Sequence, residues 1–518
     1  MSVPLPDRPN LEQLKHQAKE LLQAAGGGAE DALARFAILP SPQPNSWALH
    51  DAQAVIAREH GFRSWNLLRE AVEAQALDFS AALEQFLEAA TDGRGDRAER
   101  LLGLHPGFAA ASPYAALLLG DLAAFERHRA SHPEFLTRRG GPRGWEGLHY
   151  VCHTAVGART PEREQGLAEI ARRLIAAGAD PNLRFPWEHH NVRRPVLWGA
   201  MCVARSLALA EALLQAGAAA SDGVTLVIAA SQGDVGGLEL LRRHGVDVNV
   251  PWASDGAAPL YAILQWSQTE AGVRWLLEHG AEPDPVFAAN GESPLHLAAA
   301  AWPLWLSQAL VERGAEVDRR RGDGRTPYAL AAMNGNQAVA AWLRGQGAAG
   351  ELAATDQMLA ACARGDVAEA MTLRAALGGA APAFSEEQYA VLLRAAENNN
   401  TAALEAMLAC GFDPDHADVA MGRTALHAAA MAGQLAAVRT LVAHGASLIV
   451  RDREFHAPPL IWAAEGSRMA RDVDFSGRDH AAVGRLLLDA GSPTVWQAGA
   501  EPAGPIAEIV EQWRGTAT

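Results

Sequence analysis

Residues 320–348, RRGDGRTPYALAAMNGNQAVAAWLRGQGA, carry the start and stop signals of two short helices and decide how the chain folds. Thr326 precedes Pro327, and a threonine hydroxyl caps a helix at whose first position proline has no backbone N–H to lose. Gly347 follows the leucine of the second segment and suits a left-handed residue that ends a helix. The stretch therefore predicts a hairpin of two helices, with a repeat length of about 33 residues.

Segments of the form Leu-Leu-x-x-Gly-Ala recur along the chain, and their glycines mark the end of each predicted second helix. These glycines are Gly178, Gly217, Gly245, Gly280, Gly314, Gly347, Gly411, Gly445 and Gly491. The 64-residue interval before Gly411 fits two units, because residues 360–366 are typical of a degenerate helix pair. Intervals of 39 and 46 residues indicate insertions. A period of this length is the signature of a stacked repeat architecture.

The better-preserved units also carry a helix start. These starts are Ser293-Pro294-Leu295-His296, Thr326-Pro327-Tyr328-Ala329, Thr424-Ala425-Leu426-His427 and Pro458-Pro459-Leu460. They resemble the ankyrin repeat, in which Thr-Pro-Leu-His opens a first helix and Leu-Leu-x-x-Gly-Ala-Asp-x-Asn closes a second. The resemblance implies an all-α ankyrin-repeat solenoid of about twelve helix-pair units, several of them degenerate. It also implies a concave face that binds a protein partner.

Four segments are expected along the chain. Residues 1–76 form a small helical N-terminal leader, residues 77–144 hold degenerate ankyrin-like repeats or an unrelated helical cap, residues 145–495 hold the ankyrin repeats, and residues 496–518 form a C-terminal cap helix and tail. The leader resembles one that precedes ankyrin arrays in many bacterial proteins, and it acts either as a cap or as a docking module. The cap helix, residues 506–513, would cover the apolar face that a terminal repeat otherwise exposes.

Composition narrows the function classes. The 518 residues include 44 basic and 60 acidic side chains, a net charge of −16, which disfavours a general attraction to nucleic acid or anionic lipid. No apolar run is long enough to span a bilayer, no secretory signal is visible, and the four cysteines are far apart in sequence. The sequence therefore predicts a soluble cytoplasmic chain, with a monomer expected and no cofactor.

The candidate binding residues lie where the sequence departs from its period. Residues 183–195, LRFPWEHHNVRRP, form an insertion rich in arginine, histidine and aromatic residues and are expected to be a loop. With aromatic residues of neighbouring units they give the predicted partner-binding set: Trp145, Trp187, Glu188, His189, His190, Arg193, Arg194, Trp198, Trp252, Tyr261 and Trp266. Arginine offers bidentate contacts to carboxylates and tryptophan offers anchors, so an acidic protein partner is expected. Alternatively, several of the aromatic residues pack inside.

A second function stays open at the same place. His149 and His153 are four residues apart and share a helix face, so they are candidates to begin a zinc or iron site with Glu188, His189, His190 or Cys152. The resemblance favours another role, because His149 occupies the repeat's histidine position, where the imidazole bonds a neighbouring loop. The alternative to a scaffold is thus a small-molecule-binding or enzymatic protein with a pocket formed by residues 183–195 and the His149/His153 helix.

Enzyme motifs are weak. The sequence has no Gly-x-Ser-x-Gly elbow, no phosphate loop ending in Gly-Lys-Ser/Thr and no His-Glu-x-x-His helix. Catalysis by Cys152 stays open, although a buried packing role is favoured. Two further insertions, residues 157–166 and 465–480, are expected to be solvated loops between helices, and for residues 465–480 a partner-contacting loop is the alternative. A secreted effector is a third possibility, for which no targeting segment is visible.

Overall fold

The structure is a computed structural model, and its described part is almost entirely helical. It describes residues 4–6, 9–39, 47, 49–62, 65–136, 138–187, 190–220, 223–252, 256–266, 269–378, 384–469 and 479–493. Within these ranges, β-structure is limited to one two-stranded hairpin and two isolated bridges.

The first four helices pack around a core of their own. They are α1 (Leu11–Gly26), α2 (Glu30–Phe36), α3 (Leu49–Glu59) and α4 (Trp65–Gln75). Asn10 caps α1 through its side-chain oxygen, which accepts hydrogen bonds from the backbone N–H groups of Glu12 and Gln13 at 2.9 and 3.2 Å. Phe36 and Leu68 are among the fully buried side chains of this core. The division of the chain near residue 76 stays a prediction.

After α4, the described helices pair into twelve consecutive hairpins, each with a first and a second helix. Hairpins 1 to 4 are α5 (Phe79–Thr91) with α6 (Gly95–Leu104), then, after the short α7 (Phe108–Ala111), α8 (Pro113–Leu119) with α9 (Leu122–Ser131), α10 (Gly147–Cys152) with α11 (Pro161–Ala176), and α12 (Val196–Trp198) with α13 (Leu207–Gln215). A π-helix over Gly199–Val203 continues α12, and short 3₁₀ turns cover Pro133–Leu136 and Gly157–Arg159.

The remaining hairpins are more regular. Hairpins 5 to 8 are α14 (Val224–Ser231) with α15 (Val235–Arg243), α16 (Pro259–Trp266) with α17 (Glu270–Glu278), α18 (Pro294–Ala301) with α19 (Leu304–Glu312), and α20 (Pro327–Met333) with α21 (Gln337–Gly345). Hairpins 9 to 12 are α22 (Ala354–Ala363) with α23 (Val367–Ala376), α24 (Glu386–Glu397) with α25 (Thr401–Ala409), α26 (Ala425–Met431) with α27 (Leu435–Ala443), and α28 (Pro459–Met469) with α29 (His480–Asp489).

The hairpins stack in one dimension, with first helices largely on first helices and second helices on second helices. Buried alanines such as Ala298 and Ala428 let the first helices approach closely, and buried leucines such as Leu310 and Leu441 fill the space between hairpins. The degenerate hairpins 1 and 2 join the same stack, since α8 contacts both α5 and α10. The predicted all-α solenoid of about twelve units is confirmed.

The start and stop signals act as the sequence predicts. The Thr326 hydroxyl accepts a hydrogen bond from the Ala329 N–H at 3.3 Å, and Ser293 and Thr424 form capping boxes with the histidines three residues on. All nine glycines of the Leu-Leu-x-x-Gly-Ala segments have φ between 79° and 106°, the left-handed region in which a Cβ is strained.

Side chains of the connecting turns tie each hairpin to the next. The Asn249 amide donates to the Gly280 carbonyl at 3.2 Å, and its oxygen accepts the Glu282 N–H at 2.9 Å. Asn182 bonds Gly217 and Ala219 in the same way. Later turns use an aspartate that accepts the corresponding N–H: Asp284, Asp318 and Asp415. These bonds define the register between hairpins.

Residues 157–166 are not the solvated loop that the sequence analysis expects. Thr160 caps α11, so residues 161–166 extend the second helix of hairpin 3, and Gly157 and Gly166 are buried. Gly166 lies against hairpin 2 so closely that a Cβ there would be 1.8 Å from the Gly120 oxygen. The insertion therefore adds inter-hairpin contact. Of residues 465–480, the first five complete α28, and the rest up to 478 lie outside the described residues, as does the predicted cap helix at 506–513.

The core divides near hairpin 8. Ala331 belongs to a cluster that runs from residue 74 to residue 348, whereas Leu330 and Met333 belong to one that runs to residue 488. Ion pairs cross the same place. Glu387 of hairpin 10 contacts both Arg321 and Arg325, which precede hairpin 8. Glu387 reaches these arginines past hairpin 9, because the connection between α21 and α22 (residues 346–353) is short and does not project between them.

Asn249→Ala is expected to lower the urea midpoint of unfolding, because two hydrogen bonds between hairpins 5 and 6 are lost. Each such bond stabilises by about 0.5–1.5 kcal/mol. Asn249→Asp keeps the acceptor and loses the donor, so its midpoint should lie between those of Asn249→Ala and the wild type. Circular dichroism at increasing urea measures both, and an unchanged midpoint for Asn249→Ala would show that these bonds contribute nothing net.

Gly166→Ala is expected to lower the thermal midpoint, since the added methyl overlaps the Gly120 oxygen and overpacking costs about 1–3 kcal/mol. Gly103→Ala in α6 is the matched control: nothing lies within 4 Å of a Cβ at that position. Alanine should there be neutral or stabilise the helix by up to about 1 kcal/mol. Equal midpoints for the two variants would contradict the close approach.

Candidate functional site

Residues 184–187 and 190–195 form the two strands of a β-hairpin, so the expectation of a loop is wrong. Strand β1 (Arg184–Trp187) pairs antiparallel with β2 (His190–Pro195), with Phe185 opposite Arg194 and Pro186 opposite Arg193. Backbone N–H and C=O groups of the two strands form hydrogen bonds with each other, as in any antiparallel pair. The hairpin stands on the side of the stack formed by the first helices and the loops between hairpins, which we call the front face.

Five rings pack where this β-hairpin meets α10, and we call them the ring cluster: Trp145, His149, His153, Phe185 and Trp198. The Phe185 ring centre lies 4.5 Å from that of His149 and 5.0 Å from that of His153, both edge-to-face. Trp145 lies 5.2 Å from His149 and 5.4 Å from His153. Phe185 and Trp198 are buried, and Trp145 is half-buried at the edge. The cluster is a packed layer in which Phe185 fills the space below the β-hairpin.

His149 departs from the role that the resemblance implies. In hairpins 7 and 11, the Nε2 atoms of His296 and His427 bond carbonyls of the following loop, those of Arg325 and Ala457, at 3.3 and 3.1 Å. His149 is 6% exposed, and its Nε2 has no hydrogen-bond partner among the described residues.

The β-hairpin explains the difference. By its place before the next first helix, Arg194 corresponds to Arg325 and Ala457, but its backbone is paired with Phe185 in the sheet. The Phe185 ring therefore lies against His149, whereas a loop carbonyl bonds each of the other two histidines.

Burial keeps both histidines of the cluster neutral. Desolvation, with a smaller contribution from His153 and the nearby arginines, lowers the pKa of His149 to about 3. Desolvation and Arg143 lower the pKa of His153 to about 4. Within the described residues, no group of three or more His, Cys, Asp or Glu side chains is placed to hold a metal ion. Cys152 is fully buried, and its burial raises the pKa of the thiol, so it stays protonated at neutral pH.

Arginine side chains surround the ring cluster. Arg194 lies over the Trp198 ring at 5.5 Å. Arg184 and Arg193 are exposed, and each donates to the other's carbonyl, at 3.3 and 3.0 Å, which fixes both guanidinium groups against the β-hairpin. The loop residues 138–147 and the insertion residues 184–195 contain six arginines against two carboxylates, whereas the whole chain is acidic. The front face of hairpins 3 and 4 is therefore a basic region of an acidic protein.

The other predicted aromatic residues continue the same layer. Trp252 is half-buried and packs against the two small clusters that hold Phe185 and Tyr261. Tyr261 is 1% exposed, stacks on Phe287 at 4.9 Å and donates its hydroxyl to a Glu292 oxygen at 2.9 Å. Tyr261 and the buried Trp198 thus support the surface from below.

Some predicted residues are not placed. Glu188 and His189 lie outside the described residues, and for Trp187, His190 and Trp266 only the backbone is described. Sequence reasoning passed over Phe185 and Phe287 as contacts of the layer. An aromatic residue within the same insertion was the available signal for Phe185, whereas nothing in the sequence placed Phe287 beside Tyr261.

An open cleft lies away from the ring cluster, among hairpins 1 to 3. It has a volume of about 910 Å³ and is lined by Leu102, Gly120, Arg163 and Arg172, among others. Both arginines of its lining are paired, Arg163 with Glu99 and Arg172 with Glu169 at 3.4 Å. None of its lining residues belongs to the ring cluster.

The stacked hairpins, their histidine-capped first helices and their turn bonds define an ankyrin-repeat solenoid. Comparison with known proteins agrees: the family model "Ankyrin repeats (3 copies)" matches residues 226–321, 261–356 and 392–473. The chain thus contains an ankyrin repeat domain, a module that typically mediates protein–protein interaction. A curated relative, the E3 ubiquitin-protein ligase KEG of Arabidopsis thaliana, is 24% identical over 295 residues, which are 56% of this chain and 17% of that protein.

The chain therefore aligns with a small part of that relative. The ligase activity in the relative's name belongs to that protein and is not assigned to this chain. None of the described helices is both long and apolar enough to cross a membrane.

The two neutral histidines predict how stability depends on pH. Because their folded-state pKa values lie below the unfolded value of about 6.5, the unfolded chain binds more protons between about pH 4 and 6.5, and their contribution to stability falls as the pH falls through that range. At pH 5 each histidine lowers the free energy of unfolding by roughly 2 kcal/mol relative to neutral pH. His149→Gln/His153→Gln should therefore lose less stability between pH 7.5 and pH 5 than the wild type, as measured by urea midpoints.

Each protein's urea midpoint at pH 7.5 serves as its own reference. Repacking of the ring cluster in the double variant changes its midpoints at pH 7.5 and pH 5 equally, so the difference between them reports on the histidines. A fall as steep in the double variant as in the wild type would contradict neutral burial of the two histidines.

Proposed function

We propose that this chain is a protein–protein interaction scaffold that binds an acidic segment of a partner protein on the front face of hairpins 3 to 6. The supporting observation is the set of arginines fixed around a packed aromatic layer: Arg184, Arg193 and Arg194. The predicted residues Trp187, Glu188, His189, His190 and Trp266 are part of the proposed face by their position in the chain. Cytoplasmic location, a bacterial source and a monomeric state stay predictions from the sequence.

Preorganisation supports this proposal. Both exposed guanidinium groups of the β-hairpin are held against it by hydrogen bonds to backbone carbonyls. A guanidinium held in this way can pair with a carboxylate without the cost of ordering a free side chain. Trp145 offers a half-buried ring at the edge, and Arg194 lies over the ring of Trp198. Arginine beside tryptophan is the composition of binding hot spots.

Charge supports an acidic partner. A chain with a net charge of −16 repels acidic segments in general, so a local basic region both selects and orients them. Such contacts lie at the rim and are open to solvent, so they weaken with added salt.

The rival function, a pocket for a small molecule or a reaction, rests on His149, whose buried Nε2 lacks a partner among the described residues. The geometry favours the scaffold, because the Phe185 ring occupies the side of His149 and His153 that the β-hairpin covers. The buried Cys152 thiol also offers no thiolate at neutral pH.

Arg184→Glu/Arg193→Glu is expected to abolish partner recovery. The tagged full-length protein would be expressed in its native organism, and captured proteins quantified by mass spectrometry. Reversal of two rim charges should reduce recovery of the specific partner at least about tenfold. The partner should carry an acidic segment whose deletion has the same effect.

Arg243→Glu/Arg313→Glu is the matched control, because it changes the net charge equally at exposed positions on the second-helix side. Circular dichroism and tryptophan fluorescence show that each variant keeps its fold. Undiminished recovery by Arg184→Glu/Arg193→Glu, or an equal loss with the control, would refute this location of the binding face.

A further inference from the structure

Two of the four cysteines are in direct contact inside the stack. Cys362 is the last residue but one of α22, and Cys410 directly follows α25. Their sulfur atoms are 3.9 Å apart, with the Cys362 thiol donating to the Cys410 sulfur, and neither side chain is exposed. Cys152 and Cys202 make no such contact with each other in the described part of the chain. Cys362 and Cys410 are therefore a pair in space, although 48 positions separate them in sequence.

A disulfide between the two sulfurs would join neighbouring hairpins. Cys362 belongs to the first helix of hairpin 9, which packs on α25, the second helix of hairpin 10. A disulfide has a sulfur–sulfur distance of about 2.05 Å, so the two sulfurs have to approach by about 2 Å. The bond thus needs a local adjustment and leaves the order of the hairpins unchanged.

A buried guanidinium group lies beside Cys410. Arg374 of α23 lies so close to the adjacent Gly411 that a Cβ at residue 411 would be 2.9 Å from the Arg374 Nη1 atom. That Nη1 atom is buried and has no hydrogen-bond partner among the described residues. A positive charge at this place favours a negative charge on the nearby sulfur.

The two thiols differ in how readily they lose a proton. Burial raises the pKa of the Cys410 thiol, and the hydrogen bond from Cys362 and the charge of Arg374 oppose this rise. Burial also raises the pKa of the Cys362 thiol, and the neighbouring Cys410 raises it further. Cys410 is therefore the first of the two to become a thiolate, which is the reactive form of cysteine.

The helix that carries Arg374 is held by few buried side chains. Ala370 is the buried residue of α23, and Val367 and Met371 are 39% and 43% exposed. A helix with few buried apolar contacts opens locally at a low cost in free energy. Since α23 packs against both α22 and α25, its opening gives a small oxidant access to the two sulfurs.

We infer that Cys362 and Cys410 form a redox-active thiol pair, which hydrogen peroxide converts into a disulfide that ties hairpin 9 to hairpin 10. Cys410 is the attacking sulfur and Cys362 the resolving sulfur. Arg374 is a positioning residue that stabilises the Cys410 thiolate. The inference does not rest on the proposed binding face of hairpins 3 to 6.

The reaction balances with hydrogen peroxide as the oxidant. The Cys410 thiolate attacks one peroxide oxygen, the O–O bond breaks, and the leaving hydroxide takes up the proton that Cys410 gave up. The product is a sulfenic acid on Cys410. The Cys362 sulfur then attacks the Cys410 sulfur, the S–O bond breaks, and the oxygen leaves as water with the Cys362 proton. Two thiols and one peroxide thus give one disulfide and two water molecules, and two electrons pass from the sulfurs to the peroxide.

The test is peptide mapping of the reduced full-length protein after exposure to hydrogen peroxide. Remaining thiols are alkylated in denaturant, and the tryptic digest is analysed by mass spectrometry without reduction. The expected product links peptide 345–364 to peptide 395–423, while Cys152 and Cys202 stay unlinked. The disulfide should raise the melting midpoint by at least about 3 °C, because it closes a long loop in the unfolded chain. Dithiothreitol should reverse this shift.

Single variants separate the roles of the residues. In Cys362→Ser, a sulfenic acid should accumulate on Cys410 and react with dimedone, whereas Cys410→Ser should give at least about tenfold less dimedone product on Cys362. Arg374→Gln should move the rise of the oxidation rate to higher pH, because the thiolate loses a stabilising charge. Arg364→Gln, at an exposed position of the same hairpin, is the matched control and should leave this pH profile unchanged.

Circular dichroism shows that each variant keeps its fold. Alkylation of both Cys362 and Cys410 without a linked peptide would overturn the inference. So would a link that forms only in urea, because the folded chain would then not bring the two sulfurs together. Equal dimedone products in the two cysteine variants would overturn the assignment of the attacking sulfur, and an unchanged pH profile in Arg374→Gln would overturn the role of Arg374.

Discussion

The whole structure depends on the inability of a single helical hairpin to bury its own apolar side. A first helix of seven or eight residues, such as α20 or α26, exposes leucines on a face that only the neighbouring hairpin can cover. Stability is then the sum of weak units and of the contacts between neighbours. The buried alanines and leucines, together with the turn bonds of Asn182 and Asn249, supply those contacts.

Binding functions can be carried by the residues that do not pack between hairpins. The exposed side chains of the loops between hairpins lie outside the apolar layers, so they can vary without loss of the core. The insertions of this chain follow that division. Residues 184–195 fold onto the front face, whereas residues 161–166 lengthen a second helix and strengthen packing. An insertion in the sequence thus either adds surface or adds packing, and which of the two it does depends on whether it falls before a first helix or before a second helix.

The sequence was informative where the determinants are local. Thr326 and Pro327 start a helix, and Gly347 ends one, through bonds and torsions that span a few residues. The candidate site was less predictable, since its geometry depends on distant residues. The loss of the histidine bond at His149 requires that Arg194 be paired with Phe185, and strand pairing within the insertion had no clear signal in the sequence. Burial of Tyr261 likewise depends on Phe287 and Glu292, which belong to the connection before the next hairpin.

Two apolar clusters meet at hairpin 8, and the ion pairs of Glu387 with Arg321 and Arg325 cross the same place. The first helix of hairpin 8 packs on the first helices of hairpins 7 and 9, so the stack is continuous there. Because each hairpin is held to its neighbours, the distance from the front face of hairpins 3 to 6 to the last described hairpins is set by the number of hairpins between them. A protein that contacts both regions at once must therefore reach along the intervening hairpins.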